Sequence, residues 1–495
     1  MRRRGVRSAL NLCCAVAAIA PAPLLADTLQ GALRAAYESN PTLMAQRGAV
    51  RATDESVPIA RAAGLPTVEG TATYEENILK GKATPGGFVS NPERQLVSQL
   101  SANVPLLTFG AVGSAVRAAE ARVESSRAGL RSTESDLFTS VVGAYMDVIR
   151  DEAIVRLNER NTGVLTYTLT ETRERLRAGE RPSSDVDQAE AREALAQSQL
   201  ETARARLIAS REAYVRLVGH EPGPLDPPQP LPAMPASPEV AVSVAMDNNP
   251  KLLIARAERR ASDQDVTVAG AAGLPRLSAI GNLNQYDYLN SLAPGTGPRN
   301  RDQGVTASVG VQLKLPIYNG GGIAAQTRQA REKQGVAIEK VIEAERLAIA
   351  ETRSAYSTWR ASEIVIGTAQ RGVAANVRAL ESIKAQTDVG MRPLIDRLNA
   401  EQELLNAQVT TVTAQRDAYV AGFALLAAMG KAEAKDLNLD GTVLYDPIVH
   451  YDHVHGANAP FSGTGSEPQP ISKSTQDVPA QTDKVVTALG TTGPR

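Results

Sequence analysis

The side chains able to do chemistry in this chain are few and scattered. His450, His453 and His455 form the run HYDHVH with Asp452 between them. That spacing could ligate a transition metal, but the plainer reading is a polar segment beyond the folded body, and no metal site is assigned. His220 stands alone before a Pro-rich stretch, and both cysteines, Cys13 and Cys14, lie within the first 26 residues. No Gly-rich phosphate loop follows a strand pattern, and Gly320, Gly321 and Gly322 read as a tight strand-to-helix joint. No set of nucleophile, base and acid can be assembled, which argues against an enzyme. Two acidic turns remain. Asp396 ends TDVGMRPLID (from Thr387), and Asp185 ends RAGERPSSD (from Arg177). In each, a Gly suited to a left-handed helix end precedes a Pro suited to a helix start. The Asp then sits where the helix dipole favours negative charge, which accounts for it without any further role. The turns are so short that the flanking helices must run antiparallel, as hairpins.

The elements that carry these turns follow from composition. The 495 residues have a formal net charge of −1, only 4% aromatics and a single Trp. A near-neutral balance offers no basic field for nucleic acid. Abundant Ala, Arg, Glu and Gln with helical periodicity point to long helices packed through small side chains. At the N-terminus, Arg2, Arg3, Arg4 and Arg7 precede an apolar run from Ala9 to Ala26. This is a secretory signal peptide with cleavage expected after Ala26, and LNLCCAV is a poor lipidation motif. No later apolar run of about 20 residues is available for a transmembrane helix.

The remaining chain reads as two copies of one unit. Asn40-Pro41 recurs as Asn249-Pro250 and Gly64-Leu65-Pro66 as Gly273-Leu274-Pro275, both at an offset of 209. From Pro105 and Pro316 onward the offset is 211, pairing Tyr145 with Tyr356, Gly179 with Gly390, Asp185 with Asp396 and Gly219 with Gly430. So many pairs in register mark a duplication. The predicted organisation is a signal peptide (1–26), a first repeat (27–220), a Pro-rich linker (221–238), a second repeat (239–440) and a polar tail (441–495) expected to be disordered. Strands are predicted near 67–77, 95–105, 277–288 and 304–317, with hairpin tips near 177–185 and 388–396. Val305, Ala307, Val309, Val311 and Leu313 alternate with polar residues at the length a tilted membrane strand needs. After each strand pair no Pro interrupts residues 110–178 or 321–389, enough for a helix of roughly 100 Å. Leu130, Leu137, Val141, Ala144, Val148 and Val155 are spaced as in a coiled coil.

Four strands cannot close a membrane barrel, and open edges in lipid leave backbone groups unpaired. The chain must share a barrel with copies of itself, of about 8 strands from two chains or 12 from three. Both hairpins would leave the barrel on one side and pack as a tube.

Over roughly 27–439 the chain resembles a TolC-type outer membrane efflux and secretion protein, in its type I secretion branch. The residues that carry the resemblance are Asn40-Pro41, VPLLTFG (from Val104), LPIYNGGG (from Leu315), VGMRPLID (from Val389) and AEQELLNAQ (from Ala400). The resemblance implies a mixed fold, a membrane β-barrel of twelve strands shared by a homotrimer and continued by a long α-helical periplasmic tunnel. It also implies an outer-membrane exit duct extending into the periplasm, surrounded by outer-membrane lipid. Its implied partners are a periplasmic adaptor and an inner-membrane pump of the ABC, RND or a similar class, with small molecules or polypeptides as cargo. Ala178, Gly179 and Glu180, with Val389, Gly390 and Met391, are similar to the tip motifs that contact the adaptor. Arg392 matches an arginine that helps hold the closed tip, and Asp396 the first of two aspartates ringing the periplasmic entrance. Asn399 occupies the place of the second, which leaves one charged ring beside a polar one; Asp185 is the first-repeat counterpart of Asp396. Two other classes use related parts, a periplasmic hairpin scaffold or adaptor and an open diffusion porin. An adaptor has no need of alternating lipid-facing strands, and a porin conducts strongly without a partner.

Overall fold

The computed structural model describes residues 27–78, 92–232, 234–291, 302–437, 439, 444–456 and 470–480. The expected signal peptide, most of both loops between paired strands and most of the polar tail lie outside the described residues.

Each half opens with short helices broken at Asn-Pro. In the first half α1 (Leu29–Ser39), α2 (Pro41–Asp54) and α3 (Ser56–Ala62) lead into β1 (Thr67–Glu76) and β2 (Arg94–Leu107). The long α4 (Ala111–Arg177) and its return α5 (Ser183–Val218) follow. The second half repeats this with α6 (Pro238–Asn248), α7 (Pro250–Ala271), β3 (Arg276–Asp287), β4 (Gln303–Lys314), α8 (Gly322–Asp388) and α9 (Leu394–Ala428). The long helices α4 and α8 have 67 residues each, about 100 Å of rise.

The Asn-Pro signature has a mechanical reason. Asn40 Oδ1 accepts from Thr42 N (3.0 Å), capping α2, while its amide donates to Leu217 O (3.0 Å) at the end of α5. Asn249 likewise caps α7 through Leu252 N (3.2 Å) and donates to Ala428 O (2.9 Å) at the end of α9. One side chain thus satisfies an orphan N–H of one helix and an orphan carbonyl of another. The tyrosine pair works in the same symmetric way. Tyr145 donates to Asp27 O (2.8 Å) and Asp226 O (2.7 Å), and Tyr356 to Ala236 O (3.0 Å). With Tyr419 donating to Gln229 O (3.1 Å), these hydroxyls strap the Pro-rich linker to the helices.

The strands form one antiparallel sheet in the order β1-β2-β3-β4. The pairing of β2 with β3, from Leu96↔Asp287 to Leu107↔Leu277, joins the two halves, with a register shift between Pro105 and Leu107. β4 stops at Lys314, short of the predicted 317, opposite Arg276, where β3 begins. Val309 is 92% exposed, and the outer edges of β1 and β4 are free. Such an apolar face and two open edges require neighbours.

The main core gathers α1, α2, α4, α5 and α9 around Phe138, Tyr145, Tyr214 and Phe423. The two long helices differ sharply in burial. α4 buries 24 residues whereas α8 buries Val341, Ala348, Thr352 and Thr387 alone, leaving Val336, Ile338 and Ile364 exposed. The coiled-coil stripe of α4 is filled within one chain, and α8 presents its own stripe outward.

The polar composition beyond 440 predicts disorder, yet Pro447–Val454 forms a helix, α10, packed against α2. Asp446 caps it by accepting from Ile448 N (2.8 Å), and Pro447 takes its first turn. Tyr451 packs beside Val57, Ala119 and Val123, with the Arg127 guanidinium 4.9 Å from its ring centre. Two apolar positions at helical spacing, Tyr451 and Val454, are enough to seat it once the surface of α2 and α4 is there.

Candidate functional site

Both hairpin tips are built by the same backbone turn. Gly179 N donates to Leu176 O (2.9 Å) and Glu180 N to Arg175 O (2.8 Å). Gly390 N donates to Thr387 O (3.1 Å) and Met391 N to Gln386 O (2.9 Å). This paired closure needs a left-handed residue, and the φ values are 77° and 78°. A Cβ at either glycine would meet nothing within 4 Å, so backbone conformation alone selects Gly there. Pro182 and Pro393 stand immediately before α5 and α9, at the N-cap. The six tip residues Ala178 to Glu180 and Val389 to Met391 are all exposed, Val389 by 68% and Met391 by 79%.

Each aspartate lies in the first turn of its helix and is held by an arginine four residues earlier. Arg392 reaches Asp396 at 3.4 Å, and Arg181 reaches Asp185 at 3.2 Å. The second pair is the more sheltered, with side chains 18% and 16% exposed against 46% and 37%. Arg392 also donates to Gln386 Oε1 (2.7 Å), so its contacts stay within its own tip. Arg181 instead crosses to the other tip, donating to Thr387 O (3.4 Å). Asn399 accepts from Arg192 Nη2 (2.6 Å), which ties α9 to α5.

One turn beyond the tip lies an ion cluster that the sequence reading passes over. Arg397 is 5% exposed, and its guanidinium faces Glu401 on its own helix (3.2 Å), Glu171 on α4 (3.7 Å) and Asp388 at the end of α8 (3.9 Å). It also donates to Thr168 Oγ1 (3.4 Å). Leu165, Leu169, Ala189, Ala196, Leu394 and Leu398 pack beside it. Burial raises the pKa of Glu401, an effect that the adjoining Arg397 opposes. A buried guanidinium with three carboxylates from three helices fixes the mutual placement of α4, α8 and α9. Arg181 was legible, since it stands 211 residues before Arg392. Arg397 had no such signal, because Val186 occupies its place in the first half.

The histidine run does not gather ligands: among the described residues no group of three or more His, Cys, Asp or Glu could hold a metal. His450 Nδ1 lies 3.2 Å from the buried Asp54 carboxylate, and His455 stacks on Tyr451 with ring centres 5.2 Å apart. His220 Nδ1 lies 2.9 Å from Glu221 O, at the start of the linker. Gly320 and Gly321 take φ values of 66° and 80° at the strand-to-helix joint. Among the described residues no helix is long and apolar enough to cross a membrane.

A sheet with two free edges, continued on one side by two helical hairpins, is one protomer's share of an outer-membrane channel. The chain belongs to the outer membrane efflux protein family, which matches residues 32–220 and 241–431. It is 33% identical over 433 residues to the outer membrane efflux protein BepC of Brucella suis biovar 1 (strain 1330), covering 87% of this chain and 91% of that protein. It is 24% identical over 368 residues to the proteases secretion protein PrtF of Dickeya chrysanthemi, covering 72% and 77%. The CmeC outer membrane channel of Campylobacter jejuni shares the fold with a TM-score of 0.72 at 17% identity, covering 86% of this chain and 89% of that one. The fold is therefore that of the trimeric channels, in which four strands per chain contribute to one barrel and the hairpins to one tunnel. The chain is an outer-membrane exit duct extending into the periplasm. Members of the family are transport channels that work as trimers with periplasmic adaptors and inner-membrane pumps.

Proposed function

We propose that the six exposed tips of a homotrimer dock a periplasmic adaptor, and that the ion contacts just behind them hold the duct closed until it does. Gly179 and Gly390, with Ala178, Glu180, Val389 and Met391, supply the docking turns. Asp396, Arg392, Asp185 and Asn399 line the periplasmic entrance, with Arg181 and Arg397 fastening one hairpin to the other. The observation that carries this reading is the crossing of Arg181 to Thr387 and of Arg397 to Glu171, because a hairpin cannot swing outward without breaking both. The pump is of the ABC, RND or a similar class, and the duct passes small molecules, polypeptides or both without chemical selection.

Replacing Gly390 by Trp tests the docking part. Its φ of 78° disfavours any side chain by about 1–2 kcal/mol, and the open space admits the ring. Trimers recovered from the outer-membrane fraction should show unchanged heat-modifiable migration while adaptor-dependent export falls. Export at the parental level would remove that turn from the docking surface.

A further inference from the structure

Between α4 and α8, with α9 packed on both as its floor, runs a trough made of two adjoining cavities of about 310 and 370 Å³. They share Leu157, Arg160 and Gln408, so the space is continuous. The cavity nearer the tips has apolar walls from Leu157 and Val164 of α4 and Leu380 of α8, over Leu404 of the floor. Its volume falls within the range of about 300–1,000 Å³ usual for small-molecule sites.

Three polar features point into it. Glu401, 8% exposed, lines this cavity, and while its Oε1 accepts from Arg397 its Oε2 has no partner. Asn161 Nδ2, on the same lining, is buried and unpartnered too. A buried carboxylate oxygen without a donor costs free energy, so a group with a hydrogen to give completes it. At the rim, Arg160 and Lys384 are exposed, and neither has an ion-pair partner within 4 Å among the described residues. Arg397 is already committed to Glu401, Glu171 and Asp388, so Arg160 and Lys384 are the cations left to meet an anion at the cavity mouth. Water could satisfy Glu401 and Asn161 but does not cover the apolar walls of Leu157, Val164, Leu380 and Leu404, which an apolar body would.

We propose that this trough binds a small organic anion, one per chain. Its acidic group lies between Arg160 and Lys384, its apolar body against Leu157 and Leu380, and a hydroxyl or amine hydrogen donates to Glu401 Oε2. The site shares Arg397 and Glu401 with the contacts between the hairpins, so the test varies Arg160 and Lys384, which take no part in them.

Anilinonaphthalene sulfonate is a fitting probe, because it combines a sulfonate, an amine hydrogen and an aromatic body. It is titrated by fluorescence into the full-length protein in lipid nanodiscs, with empty nanodiscs as the blank. Saturable binding at one site per chain is expected, weakened at least about tenfold in Arg160→Ala/Lys384→Ala. Leu157→Trp keeps both cations and fills the cavity, and it should abolish the saturable phase in trimers that still migrate normally. Non-saturable uptake equal to the blank, or parental affinity in both variants, would overturn the site.

Discussion

The guanidinium of Arg181, on the first hairpin tip, donates to the backbone carbonyl of Thr387 on the second, at 3.4 Å. Its other terminal nitrogen holds Asp185. The repeat mate of Arg181 is Arg392, whose partners among the described residues are Gln386 and Asp396 of its own tip. Two arginines at equivalent places in a duplicated sequence therefore do different things. One braces a turn, and the other fastens two turns together.

That difference ranks two variants. In planar bilayers, Arg181→Ala should raise the conductance of isolated trimers more than Arg392→Ala does, because only the former removes a contact between hairpins. An exposed i,i+4 pair such as Arg392–Asp396 contributes only about 0.3–0.5 kcal/mol. Equal conductances for the two variants would refute the ranking.

Arg397→Ala should be more damaging than either. It leaves Glu401 buried at 8% exposure without its partner, and breaking a buried pair costs about 3–5 kcal/mol. Amide hydrogen exchange in α9 near 394–405 should accelerate markedly. Joint replacement by Arg397→Met and Glu401→Leu should restore most of the protection, since apolar groups of similar volume need no partner. Failure of the double variant to recover would mean that the contacts to Glu171 and Asp388 dominate.

Stability should depend on pH through Glu134. Its carboxylate accepts from Ala434 N (2.5 Å), and burial, with a smaller contribution from the nearby Glu433, raises its pKa to about 7. The folded state holds this proton more tightly than the unfolded chain does. The stability linked to it is therefore full at low pH and is lost as pH rises from the ordinary carboxylate range through about 7. Glu134→Gln should melt higher than the parent at pH 8 and show a smaller difference at pH 5. Parallel melting curves at both pH values would exclude Glu134 as the source.

The Asn-Pro joints can be tested by separating cap from clasp. Asn249→Asp keeps an acceptor for Leu252 N but loses the donor to Ala428 O, and Asn249→Ala loses both. The cap is worth about 1 kcal/mol, and the orphaned carbonyl costs about 1–3 kcal/mol. Denaturant midpoints should fall in the order parent, Asp, Ala, and Asn40 should follow the same order through Leu217 O. An Asp variant as stable as the parent would show that the clasp contributes nothing.

Much of this protein is written locally. The offset that pairs Gly179 with Gly390 and Asp185 with Asp396, the two-residue alternation around Val305 to Leu313, and the Pro-free runs that became α4 and α8 are all short-range signals. Each reflects a constraint that acts within a turn or along one strand: a left-handed φ, one face toward lipid, an unbroken hydrogen-bond ladder. Those constraints determined the duplication, the strands and the hairpins, and they placed the tips. They could not determine which arginine crosses between hairpins, that Arg397 is buried among three carboxylates, or that Tyr451 and Val454 seat a helix inside a polar tail. Those outcomes join residues as far apart as Arg181 and Thr387, and they depend on how two long helices are rotated about their axes. Side-chain spacing gives a helix its faces, but only packing against a second helix decides what each face meets.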